Sequence, residues 1–290
     1  MGANPPDLQR GARTPAASSP PVLRVIVAHR GFAWPDLAEI WRHRELLVAL
    51  LERDIKVRYK QAALGLSWAL LQPLLTMLVM ALIFGRLAAV PSDGVPYPAF
   101  VYAGLLPWTF FSASVTGATN SLLSSSHLIT KVYFPRLLLP LAAAGSALVD
   151  LLVATPFLAV LMLWYGLSLG AIVWFVPAIV ATGLAAVGVA ALLSGLSVAY
   201  RDFRYVVSFT LQLWMFATPV IYPLSMLPER WRFLAFLNPL TGAVEAFRGA
   251  WLGTPIAAMG MLVSLGTSLA VFLIGASVFA QIERRFADVI

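Results

Sequence analysis

The stretch "RDIKVRYKQAALGLSWALLQPLL" (Arg53–Leu75) decides the fold. Five of its first eight residues are charged, and the fifteen that follow carry no charge. A chain that leaves water for hydrocarbon shows this pattern, with cations at the surface and an apolar run of roughly 20 residues beyond them. Comparable charge-free windows recur at 94–126, 151–200, 205–228 and 249–282, and 137–149 joins the third through Asp150. Hydrophobic residues make up 60% of the 290-residue chain and charged residues only 11%, with a mean hydropathy of +0.84. A soluble domain is nearer half apolar and a quarter charged, so the solvent for much of this chain is lipid.

Residues 137–200 accommodate two spans, with "WYGLSLGA" (Trp164–Ala171) as the turn. The expectation is an all-α polytopic membrane protein with six transmembrane helices, at about 66–90, 99–123, 137–164, 171–199, 205–222 and 255–280. Six spans with both termini inside place sixteen of the twenty Lys and Arg residues on the cytoplasmic face. Only Arg86, Arg230, Arg232 and Arg248 fall outside. This positive-inside asymmetry accounts for the net charge of +7 without a nucleic-acid partner. There is no cysteine, hence no disulfide or thiolate metal site, and no metal centre is expected.

Residues 1–34 are rich in Pro, Ala, Gly and Ser, lack the apolar core of a signal peptide, and read as a disordered cytoplasmic tail. Residues 35–60 read as an amphipathic interfacial helix: Leu37, Ile40, Trp41, Leu47, Val48, Leu51 and Ile55 recur at helical steps. That helix is either a plain membrane anchor or a collar at the mouth of a pathway. Residues 61–290 form the transmembrane domain. Between the second and third spans, "SSSHLITKVYFPR" (Ser124–Arg136) offers a short helix whose apolar residues mark a contact or rest on the bilayer. On the far side, Pro223–Gly253 is apolar yet holds Glu229, Arg230, Arg232, Glu245 and Arg248, which a plain span does not tolerate. Pro228 and Asn238–Pro239 divide it into two short helical pieces, an external helix pair that is either re-entrant or surface-lying.

The chain has no phosphate-binding G-x-x-x-x-G-K-[ST] loop, no H-E-x-x-H and no G-x-S-x-G. Asp150 is the one acid within the spans. It reads equally as a pathway residue or as a buried hydrogen-bonding group. Arg86 is placed outside, at the end of the first span, and no other basic residue shares the spans, so a hydroxyl, a backbone group or water is the expected partner of Asp150. Aromatic residues at the span ends form the usual interfacial belt, and Trp108, Phe111, Trp214 and Tyr222 are candidates for lining a pathway.

Five segments, in order, resemble the membrane subunits of ABC-2 type exporters, in particular the branch that exports lipid-linked polysaccharides such as O-antigen, capsule or teichoic acid. They are "LLERDIKVRYKQAALGLSWALLQPLLTMLVMALIFGRL", "YAGLLPWTFFSASVTGATNSLL", "ITKVYFPRLLLPLA", "YRDFRYVVSFTLQLWMFATPVIYPLSMLP" and "LNPLTGAVEAFRGAWL". The resemblance covers roughly residues 36–285. It implies a homodimeric permease of the cytoplasmic membrane, served by two copies of a separate ABC ATP-binding subunit that carries ATP and Mg. On this resemblance the chain is not itself an enzyme and binds no cofactor. The coupling segment maps to Ser126–Pro135, with His127, Ile129, Lys131, Val132, Tyr133 and Phe134 facing the ATPase. The Leu64–Gly65 pair maps close to where the lipid-linked substrate enters.

Arg53, Lys56, Arg58 and Lys60 then offer cations to the diphosphate head of a lipid-linked glycan, although the same four satisfy the inside rule and hold anionic lipid. Lys56 and Arg58 cannot face the same way on a straight helix. The external pair, with Trp231, Asn238, Pro239, Glu245 and Arg248, would close the outer end. An ABC-2 exporter of a drug or small lipid, and a polytopic prenyl-carrier transferase, are the competing readings. The transferase requires an acid or His cluster at one interface, where the spans offer only Asp150.

Overall fold

The structure is a computed structural model that describes residues 37–60, 65–124, 134–199 and 202–283. Ordered structure among these residues is helical throughout. Helices α1 (Leu37–Arg42) and α2 (Arg44–Tyr59) form the N-terminal arm. They are followed by α3 (Ser67–Met80), α4 (Tyr97–Ser124), α5 (Leu138–Tyr165), α6 (Phe175–Ala199), α7 (Phe203–Ala217), α8 (Glu229–Phe236), α9 (Pro239–Leu252) and α10 (Ala258–Glu283). Helix α3 continues through one π-helical stretch, Ala81–Leu87. Five of these helical segments are long and apolar enough to cross a membrane: Ser67–Leu87, Tyr97–Leu122, Leu138–Tyr165, Ile172–Ser197 and Ala258–Glu283. All backbone groups of a span must be satisfied internally, which is why helices carry the whole fold.

The N-terminal arm departs from the expected single amphipathic helix. It breaks at His43, whose Nδ1 lies 2.8 Å from the Glu39 carbonyl, so the helical phase does not run through. The inward face of α2 centres on Leu50, which is buried, with Leu46, Leu47 and Leu51 alongside. Trp41 and Val48, placed on the apolar face by sequence, are exposed at 70% and 52%. Helix α2 packs on α5, where a Cβ at Gly145 would collide with the Leu51 side chain.

The core is built from α4, α5, α6, α9 and α10, with the most extensive contacts between α4 and α5 and between α6 and α10. In hydrocarbon, burial of apolar surface does not drive helices together; close packing at small residues does. Where α6 crosses α10 the backbones touch, because a Cβ at Gly188 would meet the Phe272 backbone and one at Gly275 would meet the Gly188 carbonyl. Helix α5 ends at Gly166, which takes the left-handed conformation at φ 64°, and Leu167 N–H closes back on the Met162 carbonyl at 2.9 Å.

Helix α7 is 15 residues long, about 22 Å at 1.5 Å per residue, and stops five residues before the expected span end. The cause is Pro219, which pushes Thr218 to an extended conformation at φ −99°, ψ 139°. Residues 218–221 are nevertheless buried. Non-helical backbone in such a place needs donors, and Arg248 supplies them. Its side chain is wholly buried; Nη1 donates to the Pro219 carbonyl at 2.7 Å, Nη2 to the Val220 carbonyl and Nε to the Phe100 carbonyl at 3.2 Å. Glu245 neutralises it at 3.0 Å, and the guanidinium lies 3.8 Å from the centre of the Phe100 ring. Gly104 leaves room for the head, since a Cβ there would strike Nη2.

A candidate membrane-embedded polar site

Helices α2, α3, α4 and α5 line a half-open cavity of about 500 Å3. Helix α4 contributes Thr109, Ser112, Thr116 and Asn120, spaced by three, four and four residues and therefore on one face. Helix α3 contributes Trp68 and Gln72, one turn apart; α5 contributes Asp150, and α2 contributes Arg58 and Tyr59. Phe110, Pro73, Ala147, Leu151 and Ala154 make the apolar part of the wall.

Asp150 is the electrostatic centre. Arg58 Nη1 donates to Oδ2 and the Tyr59 hydroxyl donates to Oδ1. The carboxylate side chain is 20% exposed and the Arg58 side chain 36%. The sequence predicts a hydroxyl, a backbone group or water as the partner, because no cation is placed near Asp150 within a span. A hydroxyl is present, but the charge comes from the interfacial arm, which the sequence reading left out of account. Burial, reinforced by the adjacent carboxylate, pushes the Tyr59 phenol up to about 12, so it holds its proton and donates at any physiological pH.

The other three basic residues of the opening stretch point elsewhere. Arg53 pairs with its neighbour Asp54 at 2.9 Å, Lys56 pairs with Glu52 at 2.9 Å on the exposed side, and Lys60 is exposed at the end of α2. Gly65 is left-handed at φ 50°, which turns the chain from the arm into α3. Leu64 lies outside the described residues, as do His127, Ile129, Lys131, Val132 and Tyr133. Phe134 is buried with Leu50, Leu122 and Phe279, and Arg136, two residues on, donates to the Glu283 carbonyl at 2.6 Å. The descending end of the expected coupling segment is thereby tied to α10.

The aromatic candidates separate in the same way. Trp108 and Phe111 are buried in the core, with ring centres 5.6 Å apart, and Phe111 meets Trp214 edge-on at 5.2 Å. They pack helices together and do not line the cavity; Tyr222 donates to the Phe216 carbonyl at 3.2 Å and is likewise outside it. At the other end Asn238 is a junction. Its Oδ1 accepts from Leu240 N–H and from Trp214 Nε1, each at 3.1 Å, and its Nδ2 donates to Thr218 Oγ1 at 2.9 Å. Pro239 occupies the first turn of α9, which is buried almost throughout. Trp231 on α8 is half exposed beside Arg230.

The polar stripe of α4 was missed in the sequence although its spacing is plain there. Its hydroxyls and amide sit among apolar residues in a charge-free window, and only the facing residues of α3 and α5 mark them as lining a cavity.

The family model of the ABC-2 type transporter matches residues 45–252. The O-antigen export system permease protein RfbA of Myxococcus xanthus is 33% identical over 256 residues, covering 86% of this chain and 97% of the relative. A Klebsiella pneumoniae protein of the same name is 28% identical over 249 residues, 85% of this chain and 95% of its own. The polysialic acid transport protein KpsM of Escherichia coli is 25% identical over 207 residues, 70% of this chain and 79% of its own. The matched region runs from the start of α2 to the end of α9 and takes in both the cavity and the Arg248 cluster, so this chain belongs to the ABC-2 type transporter membrane family.

Proposed function

We propose that the chain is the membrane-spanning permease subunit of an ATP-driven ABC exporter whose cargo is a polysaccharide carried on a polyprenyl diphosphate, of the O-antigen kind. The observation that carries this reading is the reach of the similarity: an O-antigen export permease aligns over 97% of its length. Two other relatives are named for polysialic acid transport and for capsule polysaccharide export. A polar cavity inside the apolar bundle suits such a cargo, since polar groups at that depth face a pathway or a partner.

In this reading the subunit works as a homodimer in the cytoplasmic membrane with both termini inside. Two copies of an ATP-binding subunit hydrolyse ATP with Mg, and this chain contributes no nucleotide site. Helices α4 and α5 flank the segment expected to meet the ATPase, and both line the cavity. A push on that segment therefore acts on two of the four cavity walls.

The test is ATPase activity in lipid vesicles, with this chain and the ATP-binding subunit encoded beside it, with and without an undecaprenyl-linked glycan. Stimulation by the glycan supports the reading. Activity indifferent to the glycan and raised by small amphiphiles instead would replace it with a drug exporter.

A further inference from the structure

The chemistry of the cavity wall narrows the ligand. The α4 stripe from Thr109 to Asn120 is about 16 Å long at 1.5 Å per residue. Thr109 and Ser112 spend their protons on the carbonyls of Leu106 and Thr109, at 2.9 and 3.3 Å, so they present acceptor lone pairs to the cavity. Among the described residues the side chains of Gln72, Thr116 and Asn120 make no hydrogen bond, and all three line the cavity with exposed atoms. Asp150 accepts two bonds, and a carboxylate has roughly four lone-pair sites.

A ligand that satisfies this wall must offer many small groups that both donate and accept, and an apolar face for Trp68. Sugar rings have both, through their hydroxyls and their C–H faces. An amphiphile without hydroxyls would displace water from Gln72, Thr116 and Asn120 without replacing its hydrogen bonds, which is unfavourable. A volume of about 500 Å3 is that of a small-ligand pocket, so it admits a short piece of glycan rather than a polymer coil.

We propose that the cavity between α2, α3, α4 and α5 is a saccharide-binding site, in which the α4 stripe, Gln72 and Asp150 hydrogen-bond sugar hydroxyls and Trp68 stacks on a ring. The proposal rests on the export reading above and says where in the protomer the cargo's sugars are held.

The chain has no cysteine, so Thr116→Cys introduces a single thiol into the site. The experiment measures its labelling by a water-soluble maleimide in nanodiscs that hold the full chain and its ATP-binding subunit. The two probes are undecaprenyl diphosphate bearing an N-acetylglucosamine disaccharide and undecaprenyl diphosphate alone. At about ten times the Kd the sugar-bearing probe slows labelling about tenfold by mass action, and the bare carrier does not. Adding Asn120→Ala weakens that protection, and Ser112→Cys reports the same difference should Thr116→Cys fail to assemble. Equal protection by the bare carrier would make the cavity a lipid site and overturn the proposal. Oxidative cross-linking of two Thr116→Cys copies would make the stripe an interface between subunits and overturn it too. ATPase stimulation by the sugar-bearing probe without protection would overturn this site and leave the export reading standing. Absence of both would remove the export reading as well.

Discussion

Arg58 on α2 donates to Asp150 on α5 across 92 positions of sequence, and this one pair ties the surface arm to the middle of a span. The side chains are partly exposed, so the interaction lies between a surface pair and a buried one. Asp150→Ala is expected to destabilise the solubilised protein by about 1–3 kcal/mol, because it leaves the Arg58 cation and the Tyr59 hydroxyl facing an apolar wall. Arg58→Ala should cost a similar amount, and the double substitution less than the sum, measured by thermal unfolding in detergent. Additive losses would mean that the pair does not hold the arm. Tyr59 keeps its proton up to about pH 12, so between pH 6 and 9 the network does not change charge through this phenol.

Among the four cations of the opening stretch the structure separates roles. Arg58 enters the cavity, while Lys56 is occupied by Glu52 on the exposed face. Lys56→Ala should therefore leave glycan-stimulated ATPase activity within about twofold of the parent, as for most surface substitutions. Arg58→Ala should lower it by about tenfold or more, the effect of roughly 1.4 kcal/mol lost from one charged contact. The comparison is made in vesicles with the ATP-binding subunit present. A larger loss at Lys56 would move the point of anion contact to the exposed face of α2.

The broad fold was legible because its cause is local. Charge-free windows longer than a bilayer is thick favour spanning helices, and the Gly166 turn falls where Trp164–Ala171 is read as a turn, whereas the break at Pro219 cuts short the span expected at 205–222. The site was legible only in part. Asp150 stood out in sequence because a lone acid in a span is conspicuous. Its partner did not, since helical periodicity says nothing of which surface helix will lie against which span. Trp108 and Phe111 look in sequence like pathway aromatics, and packing turned them to the core. Thr116 and Asn120 look in sequence like tolerated small polar residues, and packing turned them to the cavity.

The α6–α10 crossing allows a paired test. Gly275→Ala forces a methyl against the Gly188 carbonyl and should lower stability by about 1–3 kcal/mol, as overpacking does. Gly266→Ala on the same helix meets nothing within 4 Å and should be neutral or raise stability by up to about 1 kcal/mol through helix propensity. The fraction remaining monodisperse after heating in detergent distinguishes them. Equal behaviour would mean that the close crossing is not what holds the two helices.

Arg248 offers the sharpest structural test because its charge is wholly buried. The guanidinium serves three carbonyls from two separate stretches of chain, at Phe100, Pro219 and Val220, and one carboxylate. Lysine keeps the charge but has a single point of donation and cannot reproduce the fork. Arg248→Lys should leave at least one carbonyl unpaired and destabilise by about 1–3 kcal/mol, whereas Arg248→Ala leaves Glu245 uncompensated as well and should destabilise by about 3–5 kcal/mol. Glu245→Gln alone should be milder than either, because the carbonyls of 219 and 220 retain their donors. Size-exclusion profiles of the solubilised variants rank the three. Should Arg248→Ala migrate and melt like the parent, the segment after α7 would have to be held by something other than this side chain.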